Sequence, residues 1–260
     1  MSHQPGSSRT KLSRMCIVCL LMMATLLGIA GCRSPERESN SAAEVGLGEA
    51  PDPVVPANPI PMAPPRLWLF ETETDTAEPA EFTGYGGKWS IDRRYPSPRY
   101  YQSLCHEPSQ TSVSSPYEVE KGRQRKGDIA IADGAYFANV DLSAYVALSA
   151  LTPGASAGLA FSVRAGDDLY LGRISADDQR AELLRIRPRA TATIASGSFD
   201  LGAGQWHLLR VRAFGGEVEL FIDDVSVARG STEVIPTGMV GLWVSGSTAA
   251  CFDEVAAAPR

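Results

Sequence analysis

The segment from Gly204 to Val255 restricts this chain to antiparallel β-structure. Leu209, Val211 and Ala213 alternate with Arg210 and Arg212, the period of two expected of a strand with one buried face. Gly215-Gly216 supplies a reversal, after which Val218, Leu220 and Ile222 alternate with Glu217, Glu219 and Asp223. A second reversal at Asp223-Asp224 leads into Val225 and Val227. Turns this short join only neighbouring antiparallel strands, so the segment is a meander. Val240, Leu242 and Val244 repeat the pattern after Pro236 and Gly238, and an apolar patch at Phe252 and Val255 closes it.

The same punctuation runs upstream. Strands are predicted at Leu67 to Phe70, around Phe82, at Trp89 to Ile91, Ile129 to Ala132, Tyr136 to Asn139 and Tyr145 to Leu151. Others follow at Leu159 to Val163, Leu169 to Ile174, Glu182 to Arg187 and Thr191 to Ser196. Many short strands with frequent turns, and no amphipathic helix beyond the N-terminal apolar run, predict an all-β sandwich of two antiparallel sheets. Asp92 to Gly127 is weakly periodic and reads as one long loop. It holds Tyr95, Tyr100, Tyr101, Cys105, His106 and the basic cluster Lys121, Arg123, Arg125 and Lys126. Loops of this length usually carry function or are mobile.

The N-terminus has the anatomy of a signal peptide: Arg9, Lys11 and Arg14 precede the apolar run Met15 to Ala30, which stops at Gly31-Cys32. That run is short of the roughly 20 residues a spanning helix needs. Ile29-Ala30-Gly31-Cys32 resembles the bacterial lipobox, which implies a lipidated Cys32 as first residue of the mature protein. Arg33 follows in place of the Asp that retains many lipoproteins at the inner membrane. The resemblance thus implies a lipid-anchored protein of the bacterial cell envelope, at the outer membrane or cell surface. Residues 1–31 are read as the signal peptide and 32–65, rich in Pro and Ala, as a disordered tether. Extended at about 3.1 Å per residue, such a tether reaches on the order of 100 Å. Residues 66–260 form the folded domain.

With 24 Lys and Arg against 30 Asp and Glu, the net charge is −6, which speaks against a nucleic-acid partner. Several features of the domain carry a family resemblance: Trp206-His207, the acidic turn Ile222-Asp223-Asp224, Gly238 to Trp243, and Phe252-Asp253-Glu254-Val255. Together they resemble the concanavalin A-like lectin/glucanase jelly rolls, with particular likeness to laminin-G-like and 3-keto-disaccharide hydrolase domains. The resemblance implies a two-sheet jelly roll and a carbohydrate ligand. It implies either a non-catalytic glycan- or surface-binding module or a glycoside hydrolase. A structural cell-wall or matrix protein is the third reading.

Few residues suit catalysis. Glu73-Thr74-Asp75-Thr76-Ala77-Glu78 has the E-x-D-x-x-E spacing of family 16 glycoside hydrolases, in which two carboxyl groups about 5 Å apart flank the sugar. Polar and small residues between the acids, and Pro79 after them, favour a solvated acidic loop instead. His106 and His207 are the histidines left to a general base, His106 from the loop and His207 from a strand. No catalytic residue is assigned on this basis. Tyr95, Tyr100, Tyr101 and Trp243 are the aromatics chosen to stack on a sugar, with Trp206 more suited to packing. Lys121 to Lys126 reads as a solvated loop or a contact for an anionic glycan. Cys105 and Cys251, the thiols left once the leader is removed and Cys32 is lipidated, suit either a disulfide or two buried thiols. Asp253 resembles a position where jelly rolls bind a structural Ca²⁺, the only metal expected; no other cofactor is.

Overall fold

The structure, a computed structural model, describes residues 62–93, 97–108, 127–245 and 247–260. Cys32, Tyr95 and the basic cluster at 121–126 lie outside them. Among the described residues fifteen strands form two antiparallel sheets, and the only helical element is a short 3₁₀ turn at Asp177–Gln179. The first sheet contains β1 (Arg66–Trp68), β3 (Lys88–Asp92), β4 (Ser103–Glu107), β6 (Val140–Leu148), β11 (Trp206–Phe214), β12 (Glu217–Ile222), β13 (Val225–Ser231) and β15 (Ala250–Pro259). Its order is β13-β12-β11-β6-β15-β4-β3, with β1 also paired to β15. The second sheet contains β2 (Phe82–Tyr85), β5 (Asp128–Phe137), β7 (Ser156–Ala165), β8 (Asp168–Ser175), β9 (Arg180–Arg187), β10 (Ala190–Ser198) and β14 (Gly238–Val244). It runs β10-β9-β8-β7-β14-β5-β2. The predicted two-sheet jelly-roll sandwich is therefore the observed fold.

The meander folds as its alternation requires. Leu209, Val211, Leu220 and Ile222 turn inward and are buried, while Arg210, Arg212 and Glu219 line the outer face. Asp223 and Asp224 both adopt positive φ, 51° and 64°, the backbone of a tight two-residue hairpin turn. Leu159, Phe161, Tyr170, Ile174 and Leu183 of the second sheet join the same core. Each fully buried Leu, Ile or Phe side chain contributes about 1.5–3 kcal/mol. Inside the core the sheets approach closely at Gly172, where an added Cβ would lie 2.5 Å from a methyl of Val211. Strands β7, β8 and β9 are also buried on their other face, around Ala160, Leu169, Leu171, Leu184 and Ile186. That explains apolar runs in place of alternation. At the far side, edge strand β10 meets edge strand β13 of the other sheet, and Gly197 leaves room for the carbonyl of Val227, 2.0 Å from where its Cβ would stand.

Two expectations change. The stretch from Asp92 to Gly127 is not one long loop, because Ser103–Glu107 is strand β4, paired with β3 and β15. Its alternation is hidden because both faces are covered: Leu104 and His106 point into the sandwich while Cys105 pairs with Cys251. The two cysteines face each other across β4 and β15 and form a disulfide. The end of the predicted tether also belongs to the fold, since Ala63 is buried and its N–H donates to the carbonyl of Tyr136 at 2.9 Å.

Candidate functional site

The alternation of β15 breaks near its middle. Phe252 and Val255 both face the core, which needs one extra residue, and the pairing with β6 slips between Asp253 and Ala256. Glu254 takes φ 47° to make this bulge. The bulge directs Asp253 toward the turn at 97–102, which lies against Glu71. Glu71 Oε1 accepts from the N–H of Tyr101 at 2.9 Å and of Gln102 at 2.8 Å, and the Gln102 amide donates back to the Glu71 carbonyl at 2.9 Å. Arg99 reaches Glu254 at 3.3 Å.

Several side-chain oxygens in this region are short of donors. Asp253 Oδ2, Glu254 Oε1 and Gln102 Oε1 are buried and accept no hydrogen bond. Asp253 is 0% exposed, and its pKa is pushed up to about 6. Burial is the main cause, with the Glu254 and Glu71 carboxylates adding to it against hydrogen bonds from Ser97 and the Glu254 amide. Buried orphan acceptors of this kind fit a hard cation, for which Asp and Glu carboxylates and Gln carbonyls are the usual ligands. Among the described residues no group of three His, Cys, Asp or Glu side chains could hold a metal by itself. Gln102 and main-chain oxygens would have to complete the shell. Sequence reasoning singled out Asp253 but not Glu71, Gln102 or Glu254, which surround it; the three-residue spacing from Phe252 to Val255 was the available signal for the bulge.

The predicted aromatic contacts separate. Tyr101 stands 78% exposed above this cluster on a backbone pinned by Glu71, with Tyr100 beside it, half-buried. Trp243 lies on the second sheet and is only 5% exposed, with Gly127 against its indole and the Arg173 guanidinium 5.8 Å from the ring centre. It offers no open face to a sugar. Its burial follows from β14 lying between β5 and β7, which sequence alternation could not reveal.

The acidic spacing does not take the strand setting of the family 16 motif. Glu73, Asp75 and Glu78 occupy turns between β1 and β2 and not a strand; Asp75 and Glu78 are exposed, and Glu73 accepts from the Ala80 N–H at 3.0 Å. His106 is no loop base either. It is 1% exposed, with Nδ1 donating to the Thr248 carbonyl at 2.8 Å and Nε2 against Asp128 at 3.0 Å. His207 pairs through Nδ1 with Asp223 at 2.8 Å, and its Nε2 is enclosed without a polar partner.

These features define a two-sheet β-sandwich with an aromatic turn over an oxygen cluster. No family model matches the sequence, and no curated protein matches it. Solved structures share the fold. The carbohydrate-binding module CBM66 from Bacillus subtilis superposes with a TM-score of 0.51 at 15% identity, over 67% of this chain and 93% of that one. The cellulose-induced protein Cip1 gives 0.52 at 11% identity, over 74% and 96%.

Proposed function

We propose that the chain is a non-catalytic glycan-binding module held at a bacterial cell envelope by lipid on Cys32. The observation that carries the binding function is Tyr101, a largely exposed aromatic on a backbone that Glu71 fixes through two hydrogen bonds. A rigid ring of this kind can stack on the C–H face of a pyranose at little entropic cost. The sharing of the fold with a protein named as a carbohydrate-binding module supports the same reading. Glu73, Asp75 and Glu78 lie in turns and not along a buried strand, which removes the strand setting that motif needs for its acid and nucleophile and weighs against the hydrolase alternative. The cluster at Asp253 would take a Ca²⁺ ion that stiffens the Tyr101 turn.

The test is a glycan array probed with the purified domain, followed by titration of the best ligand. Tyr101→Ala should weaken binding about tenfold, as the loss of one stacking ring implies. Unchanged affinity would remove Tyr101 from the contact. Hydrolysis of the bound glycan by the unaltered domain would replace the binding reading with the enzymatic one.

A further inference from the structure

The outer face of the first sheet carries a second feature that neither the sequence motifs nor the Tyr101 turn accounts for. Pairing registers place Arg229, Glu219, Arg212 and Asp141 side by side across β13, β12, β11 and β6, a row of alternating charge that ends at Ala258 of β15. The row lies in a groove of about 770 Å³. Phe214, 60% exposed, lines the same groove together with Pro259, and Arg260 and Glu217 complete its charged walls.

Charge in the groove is balanced. Arg212, Arg229 and Arg260 are matched by Asp141, Glu217 and Glu219, so the lining residues exert no net attraction on an ion of either sign. Neighbours hold the side chains in place. Asp141 receives two bonds from Arg210, each 2.6 Å, and is also bound by Arg260; the Arg212 guanidinium lies 4.5 Å from the Phe221 ring centre. Glu219 and Glu217 accept from Ser226 and Ser231. A restrained row of alternating donors and acceptors suits a ligand whose polar groups both donate and accept, and hydroxyls do both. An exposed ring beside the row suits C–H faces. The volume falls within the range of roughly 300–1,000 Å³ typical of small-ligand sites.

We infer that this groove is a second binding site, for a neutral, hydroxyl-rich glycan segment, separate from the Tyr101 turn. It rests on the glycan-binding reading only in the class of ligand.

The experiment titrates the full domain with neutral β-glucan, arabinan and fructan oligosaccharides and with an acidic oligogalacturonate, at low and high salt. The inference expects a neutral oligosaccharide to bind with an affinity that changes less than about twofold between low and high salt, because no net charge is neutralised. Phe214→Ala should weaken it about fivefold to tenfold and Arg229→Gln about threefold to fivefold. Both side chains are exposed, so the variants should keep the thermal midpoint of the parent. Neutral-glycan binding that survives Phe214→Ala but is lost in Tyr101→Ala overturns the groove and leaves the first site standing. Salt-sensitive preference for oligogalacturonate overturns the neutral assignment. Failure to bind any of these glycans overturns the groove assignment, and failure across the wider array overturns the general reading as well.

Discussion

Burial of Asp253 beside the Glu254 and Glu71 carboxylates makes the domain sensitive to protons at one residue, and the proposed Ca²⁺ would act at the same place. Its carboxyl has a folded pKa of about 6, against an ordinary 3.8, so the folded state holds the proton more tightly than the unfolded chain. Without a cation, this residue's contribution to stability falls as pH rises from about 4 to 6 and stays low above that. Asp141 and Asp168 act in the opposite sense. Burial raises both, but Arg210 and Arg260 around Asp141, and Arg185 and Arg164 around Asp168, outweigh it and hold both below the usual carboxylate range. Their contribution is lost as pH falls below about 4. Millimolar Ca²⁺ should raise the thermal midpoint at pH 7 and lose that effect below pH 5, where Asp253 is protonated. At a hundredfold excess over its Kd, the ion would add about 2.7 kcal/mol. Asp253→Asn should raise the stability of the calcium-free protein at pH 7 and remove the response to calcium. Calorimetry with and without chelator checks both, and a calcium effect that persists in Asp253→Asn would place the ion elsewhere.

At the level of elements, the close approach of the sheets at Gly172 is a point of little tolerance. Gly172→Ala should cost about 1–3 kcal/mol by overpacking against Val211, and Val211→Ala in the same chain should return part of that loss. Denaturant unfolding of the two single variants and the double variant measures the coupling; simple additivity would mean that the sheets yield easily. The same paragraph of chain shows what sequence could reveal. The β11 to β13 meander was legible because water covers its outer face and the alternation survives, and Asp223-Asp224 marked its own turn. Strand β4 was not legible, because a strand covered on both sides has no polar face to alternate with. The bulge in β15 was missed for a related reason: its extra residue appears only as a break in an alternation already blurred by the alanines that follow. Long-range proximity, such as Glu71 against the turn at 97–102, leaves no trace in local spacing. Tyr101 was recognised as a candidate contact, whereas the groove beside Phe214 depends on register across four strands and could be seen only after folding.

For the whole molecule, the proposed lipid anchor and the sandwich make separate contributions. Cys32→Ala should leave the fold and its thermal midpoint unchanged while moving the protein from the membrane fraction to the soluble one. Metabolic labelling with a fatty acid, together with fractionation, reads both; continued membrane retention would point to an uncleaved anchor. Domains held on a membrane through a common leash are crowded into a thin layer, where any open row of backbone N–H and C=O groups would invite chain-to-chain zipping. The meeting of β10 with β13, made possible by the missing side chain at Gly197, covers one such border of the sandwich with its own opposite sheet. Neighbouring copies could therefore stand shoulder to shoulder on a lipid surface without that border seeding a fibre.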